Sequence, residues 1–380
     1  MTGRRRPPAS RYRRTRISAF VASIVIAIIA ISAMAFAASG HGDNHKAANR
    51  RLCGRAYKLS KPIARQFAFH DPASGGIRAL AFCGNGSFLA AADANGHVYL
   101  WSMITHRTAW TLRDPRGRAV NAVAYRPRTS TLATGDAAGS VYLWRPGRGR
   151  PRRLADKASK GIRALAFSPN GALLAIADGN GHTYVWTMRT IRLVAVLSDP
   201  ASKGVTSVAF AADGKIIATG DANGSAHEWS LSQANKPRLA ASTRDAASRG
   251  VRAVTFRPGA KIRTIAIADG NGRDFLWAPG KTPATVLADP ATDGINAERF
   301  TPNGAVLVTG DADGRLYFWG LSIAKVVELL PAQRARGIRA AAFSPDGRRV
   351  AAGAADGTIY VADASRIGIS AALSPVRSGP

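Results

Sequence analysis

Cysteine is almost missing. Two thiols, Cys53 and Cys83, in 380 residues exclude a disulfide-built scaffold and a zinc site made of four thiolates. Acid is also scarce: 23 Asp and Glu stand against 53 Lys and Arg, a formal net charge of +30, so whatever the chain meets is anionic or indifferent to charge. Catalytic signatures are lacking too. The seven histidines, at positions 41, 45, 70, 97, 106, 182 and 227, show no HExxH spacing and no matched carboxylate orienter, and there is neither a Gly-x-Ser-x-Gly elbow nor a phosphate loop. Low-complexity runs are few, and 46 % apolar with 20 % charged residues exclude a chain that is disordered throughout.

What is present begins with a membrane signal. Arg4, Arg5, Arg6, Arg11, Arg13, Arg14 and Arg16 precede Ile17 to Ala38, a stretch with no ionisable side chain that as a helix would rise roughly 33 Å, enough to span the hydrocarbon core of a bilayer. A cleaved signal peptide is the rival reading, with Ala33-Met34-Ala35 as a small-residue site, but its usual apolar region is shorter. The length favours an anchor. In both cases the arginines stay in the cytoplasm and everything after Ser39 is exported.

The remainder repeats. Units start at Gly76, Ala119, Gly161, Gly204, Gly250, Gly294 and Gly337, spaced by 43, 42, 43, 46, 44 and 43 residues. Each opens with an alternating apolar run that reaches an aromatic, as at Phe82, the mark of a strand. A second run reaches a turn such as Asp93-Ala94-Asn95-Gly96, followed by Val98-Tyr99-Leu100-Trp101, which is a hairpin signal. The tryptophan recurs at Trp144, Trp186, Trp229, Trp277 and Trp319, with Ala362 in the seventh unit. A variable loop and a fourth strand complete the unit. Such units cannot bury their faces singly and must stack radially.

On this period, on the Phe-Ser-Pro-Asn/Asp-Gly turns at Phe167–Gly171 and Phe343–Gly347, and on the turn followed by Val-Tyr-Leu-Trp, the chain resembles the WD-repeat β-propellers over about residues 61–374. The resemblance implies an all-β, seven-bladed propeller of four-stranded blades. It is imperfect inside the blades: no Asp follows the six tryptophans, and the family's buried His-Ser-Trp-Asp network is not carried over. The expected organisation is a basic cytoplasmic tail at 1–16, a transmembrane signal-anchor helix at 17–38, a juxtamembrane linker at 39–60 and the propeller at 61–380. Ring closure needs one strand borrowed across the seam, since an open circle exposes unpaired edges. Pro62–Asp71 and Ile367–Leu373 compete for that place, the former favoured because it leads directly into the first inner strand.

Four features bear on function. At the third position of each unit stand Arg78, Asn121, Arg163, Thr206, Arg252, Asn296 and Arg339, a polar ring on the innermost strands near the channel mouth. These seven form either a partner-binding face or, where hairpin pairing sets Asp93 near Arg78, Asp178 near Arg163 and Asp269 near Arg252, structural ion pairs. The first, third and fifth units combine Arg with Ala-Asp and the even units Asn or Thr with Gly-Asp. Next, Asp93, Asp136, Asp178, Asp221, Asp269 and Asp311 precede tight turns, but the bidentate Glu of a calcium hand is missing, so they read as turn-stabilising Asx residues. Cys53 and Cys83 are either a disulfide tethering the linker to the first blade, worth about 3–4 kcal/mol on a chain-entropy account, or two unpaired thiols. Finally, the basic loop Arg145–Arg153 lacks aromatic stacking partners for nucleic acid; it reads as a solvated loop, or as a contact for anionic lipid headgroups or envelope polymers.

These features predict a non-enzymatic scaffold, binding another protein on the extracytoplasmic side and held to the cell membrane by its N-terminal helix, with no catalytic residues, cofactor or metal. The alternative is a secreted or anchored propeller of another lineage that binds a carbohydrate or cofactor, or acts as an enzyme, within its channel.

Overall fold

Each repeat folds as four antiparallel strands because its apolar side chains alternate between two faces, and turns with glycine at positive φ, such as Asn95-Gly96 (φ 89°), reverse the chain between them. In the first blade these strands are Ile77–Phe82, Phe88–Asp93, His97–Ser102 and Thr108–Arg113. The second is buried along its whole length, since neighbouring blades cover both its faces. The fourth, at the rim, is mostly half-buried or exposed.

The computed structural model describes residues 67–364 apart from 71–73, 155–159, 200–201, 233–235, 246, 282–283, 289–293, 322–324 and 332–336. The basic tail, the expected helix at 17–38, the linker with Cys53 and the alternative closing segment Ile367–Leu373 lie outside the described residues. Among the described residues no helix is long and apolar enough to cross a membrane.

These residues form 28 strands in seven four-stranded antiparallel sheets. The inner strands Ile77–Phe82, Val120–Tyr125, Ile162–Phe167, Val205–Phe210, Val251–Phe256, Ile295–Phe300 and Ile338–Phe343 neighbour one another in a full circle, the last against the first. The N-terminal candidate closes it. Phe67–His70 pairs antiparallel with Thr358–Asp363, Phe67 opposite Val361 and His70 opposite Thr358, and the Phe69 ring stacks on Trp101 of the first blade at 4.2 Å.

The core lies between blades rather than within them. One buried cluster joins Phe69, Ile359 and Val361 of the seventh blade to Ile77, Leu80 and Leu89 of the first; each of the other seams has its own cluster. A fully buried Leu, Ile or Phe contributes about 1.5–3 kcal/mol, and here it does so only when the adjacent blade is in place. Close approach sets the small residues. A Cβ on Gly76 (φ 103°) would stand 2.5 Å from the Ala355 carbonyl oxygen of the preceding blade, so only glycine fits there.

The even blades share a hydrogen bond that the odd blades cannot make. Trp144, Trp229 and Trp319 donate Nε1–H to Thr134, Thr219 and Thr309 at 2.8, 2.9 and 3.0 Å, where the odd blades carry Ala91, Ile176 and Ile267. Part of a Trp-hydroxyl network therefore exists here, without the histidine and aspartate of the family pattern.

One seam carries a buried ion pair. Glu228 is 2 % exposed at a position held by Leu100, Leu143 and Val185 in the first three blades. Arg263, from the fifth blade's longer turn, grips it with two hydrogen bonds of 2.7 Å. Removing the arginine leaves a buried carboxylate without its counter-ion, whereas removing the carboxylate leaves an arginine that reaches water. Arg263→Ala is accordingly expected to cost about 2–3 kcal/mol, and Glu228→Leu less than about 1 kcal/mol or to stabilise. Urea unfolding of both variants measures this; equal losses would show that the pair is not what holds the turn to the fourth blade.

Candidate interaction face

The seven ring positions share a backbone irregularity that strand alternation alone does not announce. In the first blade the pairing runs Ile77 with Asp93 and then Ala79 with Ala92, so Arg78 is an extra residue opposite nothing. The same slip skips Asn121, Arg163, Thr206, Arg252, Asn296 and Arg339 in the other blades. A β-bulge of this kind re-aims a side chain.

The arginines and the smaller residues then behave differently. Asn121 donates Nδ2–H to the Ile162 carbonyl at 3.0 Å. Thr206 donates its hydroxyl toward the carbonyls of Gly220 and Val251, at 2.9 and 2.7 Å. Both thus tie their blade to the next. Arg78, Arg163, Arg252 and Arg339 are exposed, and among the described residues none forms an ion pair. The expected pairs of Arg78 with Asp93, Arg163 with Asp178 and Arg252 with Asp269 do not form, because those carboxylates are turned into their own loops. Asp178 Oδ1 accepts from the N–H groups of Asn180 and His182 at 2.9 and 3.0 Å, and Asp136, Asp221 and Asp269 repeat the pattern. This is the Asx-turn role.

A channel cavity of about 150 Å³ is lined by Arg78, Asn121, Arg163, Asn296, Arg299 and Arg339, with backbone and small side chains between them; Thr206 and Arg252 do not line it. The cluster is strongly cationic. Partial burial, and then the charges of Arg339 and Arg163, lower the pKa of Arg78 against the opposing pull of Asp93. Enclosure by the inner strands lowers that of Arg299 although its side chain touches the channel. Arginine stays protonated through such shifts, so the cavity holds mutually repelling guanidinium groups.

Arg299 was not among the sequence candidates, nor was its neighbour Glu298, which also lines the cavity. Comparison down the repeat reveals both. Arg299 occupies the place of Ala81, Ala124, Ala166, Ala209, Thr255 and Ala342, and Glu298 that of Leu80, Val123, Leu165, Val208, Val254 and Ala341. Glu298 is 4 % exposed and lies against Asp274, fully buried where Val98 and Val141 stand in the first two blades. None of their four carboxyl oxygens meets another donor in hydrogen-bonding geometry. Burial raises the Asp274 pKa to about 6. Burial, and then the charge of Asp274, raises that of Glu298 well above its ordinary value. Both shifts favour the protonated, uncharged form.

The other sequence candidate, Cys83, is buried. Its Sγ–H donates to Asn85 Oδ1 at 2.9 Å and its sulfur accepts the Phe88 N–H at 3.3 Å. In the third blade Ser168 does this work, donating to Asn170 and accepting from the Leu173 N–H. The histidines also gain partners that linear spacing conceals: His227 Nε2 lies 2.9 Å from Asp199 Oδ2 and 3.9 Å from Asp221 Oδ2.

The Asp274–Glu298 pair fixes a pH dependence. Both pKa values are raised in the folded state, so the unfolded chain ionises first as pH rises past about 4, and stability falls from there through the folded values. Raising Asp274 from 3.8 to about 6 corresponds to about 3 kcal/mol lost by neutral pH. Replacing both acids with the repeat's own residues, Asp274→Val with Glu298→Leu, is expected to raise the melting temperature at pH 8 and to flatten its decline between pH 5 and pH 8. An unchanged slope would show that these carboxyls do not set it.

A family model described as WD domain, G-beta repeat matches residues 62–102, 108–145, 152–187, 191–230, 281–320 and 325–363. The stretch between 230 and 281, which holds most of the fifth blade with its longer turn, Asp274 and Phe275, falls between matches. None of the curated proteins matches the chain.

Proposed function

The chain belongs to the WD-repeat family, and from that premise we propose that it is a non-enzymatic, membrane-tethered interaction scaffold whose channel-mouth face takes an acidic segment of a partner protein outside the cytoplasm. The observation that carries this reading is the row of bulges that presents Arg78, Arg163, Arg252 and Arg339 without a carboxylate to pair with. Protein interaction is what propellers of this family commonly mediate. A bare arginine cluster of this kind is costly to assemble unless an anion completes it, and guanidinium forks suit carboxylates.

The tether is proposed from residues 1–38. The export direction follows the arginines at its N-terminal side. A specific observation favours a second contact on the opposite face: Arg126, Arg145, Arg148, Arg150 and Arg152 line a groove of about 380 Å³ there. The closing strand Phe67–His70 enters the propeller at that same end of the sheets. Anionic headgroups or an anionic envelope polymer fit that groove.

Two measurements test this. Purified protein is expected to bind poly-glutamate as a stand-in for an acidic segment, more weakly as salt rises, and reversal to Glu at Arg78, Arg163, Arg252 and Arg339 is expected to weaken binding at least tenfold. Binding that ignores the reversal would rule out this face. Protease added to intact cells should digest the propeller while leaving cytoplasmic proteins whole; a protected propeller would overturn the extracytoplasmic placement.

A further inference from the structure

At each of several seams the aspartate that ends one blade's outer strand lies near the aspartate of the next blade's Asx turn. Two neighbouring seams show how such a pair is served. Entering the fifth blade, the acids are Asp245 and Asp269, and Arg273 reaches both, at 2.6 and 3.2 Å, its guanidinium lying over the Phe275 ring at 5.5 Å. That place is therefore one where a positive charge sits between two carboxylates.

Entering the fourth blade, the acids are Asp199 and Asp221, and the residue in register with Arg273 is Ser225. Both Arg273 and Ser225 donate their backbone N–H to the Asx carboxylate four residues earlier, at 2.8 Å. Serine cannot reach across. In the same blade the ring position held by Tyr99, Tyr142, Tyr184, Tyr317 and Tyr360, and by Phe275, is His227. Blade four therefore lacks the arginine and has gained an imidazole.

The outcome is three donor atoms, Asp199 Oδ2, Asp221 Oδ2 and His227 Nε2, all within 4.8 Å of one another. Asp221 is 2 % exposed. Its Oδ1 is held by the N–H groups of Asn223 and Ser225 at 2.8 Å, while its Oδ2, aimed toward His227 at 3.9 Å, meets no hydrogen-bond donor. Asp199 and His227 are 9 % and 14 % exposed, so the cluster is not sealed from solvent.

We infer that Asp199, Asp221 and His227 form a binding site for a first-row divalent cation of the zinc type, one that takes the place the Arg273 guanidinium holds in the next seam. The donor set fits. Two carboxylates balance a double positive charge, and mixed imidazole and carboxylate ligation without thiolate suits zinc better than calcium, which takes six to eight oxygens. With metal–ligand bonds of about 2.0–2.2 Å, tetrahedral ligand atoms stand about 3.4 Å apart, and the separations of 2.9 and 3.9 Å bracket that value. Three protein ligands leave a position open to water. The ion would join the end of the third blade to the fourth.

The test uses full-length protein freed of metal with a chelator and then dialysed against Zn²⁺, with bound metal measured by mass spectrometry and affinity by calorimetry. One ion per chain is expected. His227→Tyr, which restores the side chain most blades carry, and Ser225→Arg, which installs the arginine of the fifth blade, are each expected to weaken binding at least tenfold. Co²⁺ in place of zinc should give a visible absorption band in the parent that both variants lose. Ser225→Arg supplies its own cation and should keep the melting temperature of the metal-free parent or raise it, so the inference stays testable if the tyrosine variant folds poorly. Absence of zinc uptake by the parent, or uptake equal in parent and variants, would overturn the assignment.

Discussion

No blade of this propeller has a core of its own, and the rest of the structure follows from that. Every buried cluster draws on two neighbouring sheets, so a single blade would leave both apolar faces in water, and a row of blades would still leave two. Only closure removes the last pair. The strand Phe67–His70 achieves it by pairing with Thr358–Asp363, at the cost in loop entropy of joining residues nearly 300 apart in sequence, a cost that grows only logarithmically with separation. The resulting frame holds seven bulged positions at fixed spacing around one mouth. Seven independent hairpins could not do that.

The repeat was legible because its signals are local. Alternation, Asn-Gly turns and a recurring tryptophan each act within a dozen residues, and the period then leaves a ring as the way to bury all the faces. The closing strand could be read as one of two segments, since its likeness to the other fourth strands is a local property as well. The bulges were not legible. They arise from the register between an inner strand and its partner, and the letters of Ile77-Arg78-Ala79 are as compatible with regular pairing as with a slip. The expected Arg–Asp pairs failed for the same reason: flat hairpin geometry sets Arg78 beside Asp93, whereas a bulge turns the arginine away and the Asx turns claim their own carboxylates. Cys83 shows a different limit. Its letter alone suggests a disulfide or an unpaired thiol, whereas its place in the repeat is that of Ser168, where a small side chain with a weak donor and acceptor closes the turn.

The alternation of odd and even blades has a physical basis in the seam. In the even blades the second strand ends Thr-Gly-Asp. The threonine holds the tryptophan, and the glycine admits the next blade's branched side chain, so that a Cβ on Gly135, Gly220 or Gly310 would overlap Ile162, Val251 or Ile338. There Asn121 and Thr206 add hydrogen bonds to the following blade's backbone. The first, third and fifth blades use Ala-Asp, give up these bonds and carry an arginine at the bulge, while the seventh combines its arginine with Gly353-Ala354, the glycine again admitting the next blade's Ile77. The division separates two tasks: at Asn121 and Thr206 the bulge holds neighbours together, and at Arg78, Arg163 and Arg252 it presents charge.

Departures from the repeat come in partnered sets, for a reason that physical chemistry supplies. A lone polar substitution in a buried column costs several kcal/mol, more than a marginally stable domain can absorb repeatedly, so it persists where a second position has changed to meet it. Glu228 has Arg263 from a lengthened turn. Phe275, which stands where five other blades have tyrosine, has Arg273 over its ring. Asp274 has Glu298, and this case differs because the partner is another acid. Burial and mutual repulsion push both toward the protonated form, a poorer arrangement than the apolar side chains of other blades. Its neighbour in the chain is Arg299, the single arginine in a column of Ala and Thr, and both Glu298 and Arg299 face the channel cavity. Three exceptional residues at one seam, two of them lining the cavity beneath the arginine ring, mark the junction of the fifth and sixth blades as a place where the sevenfold pattern of the scaffold is broken.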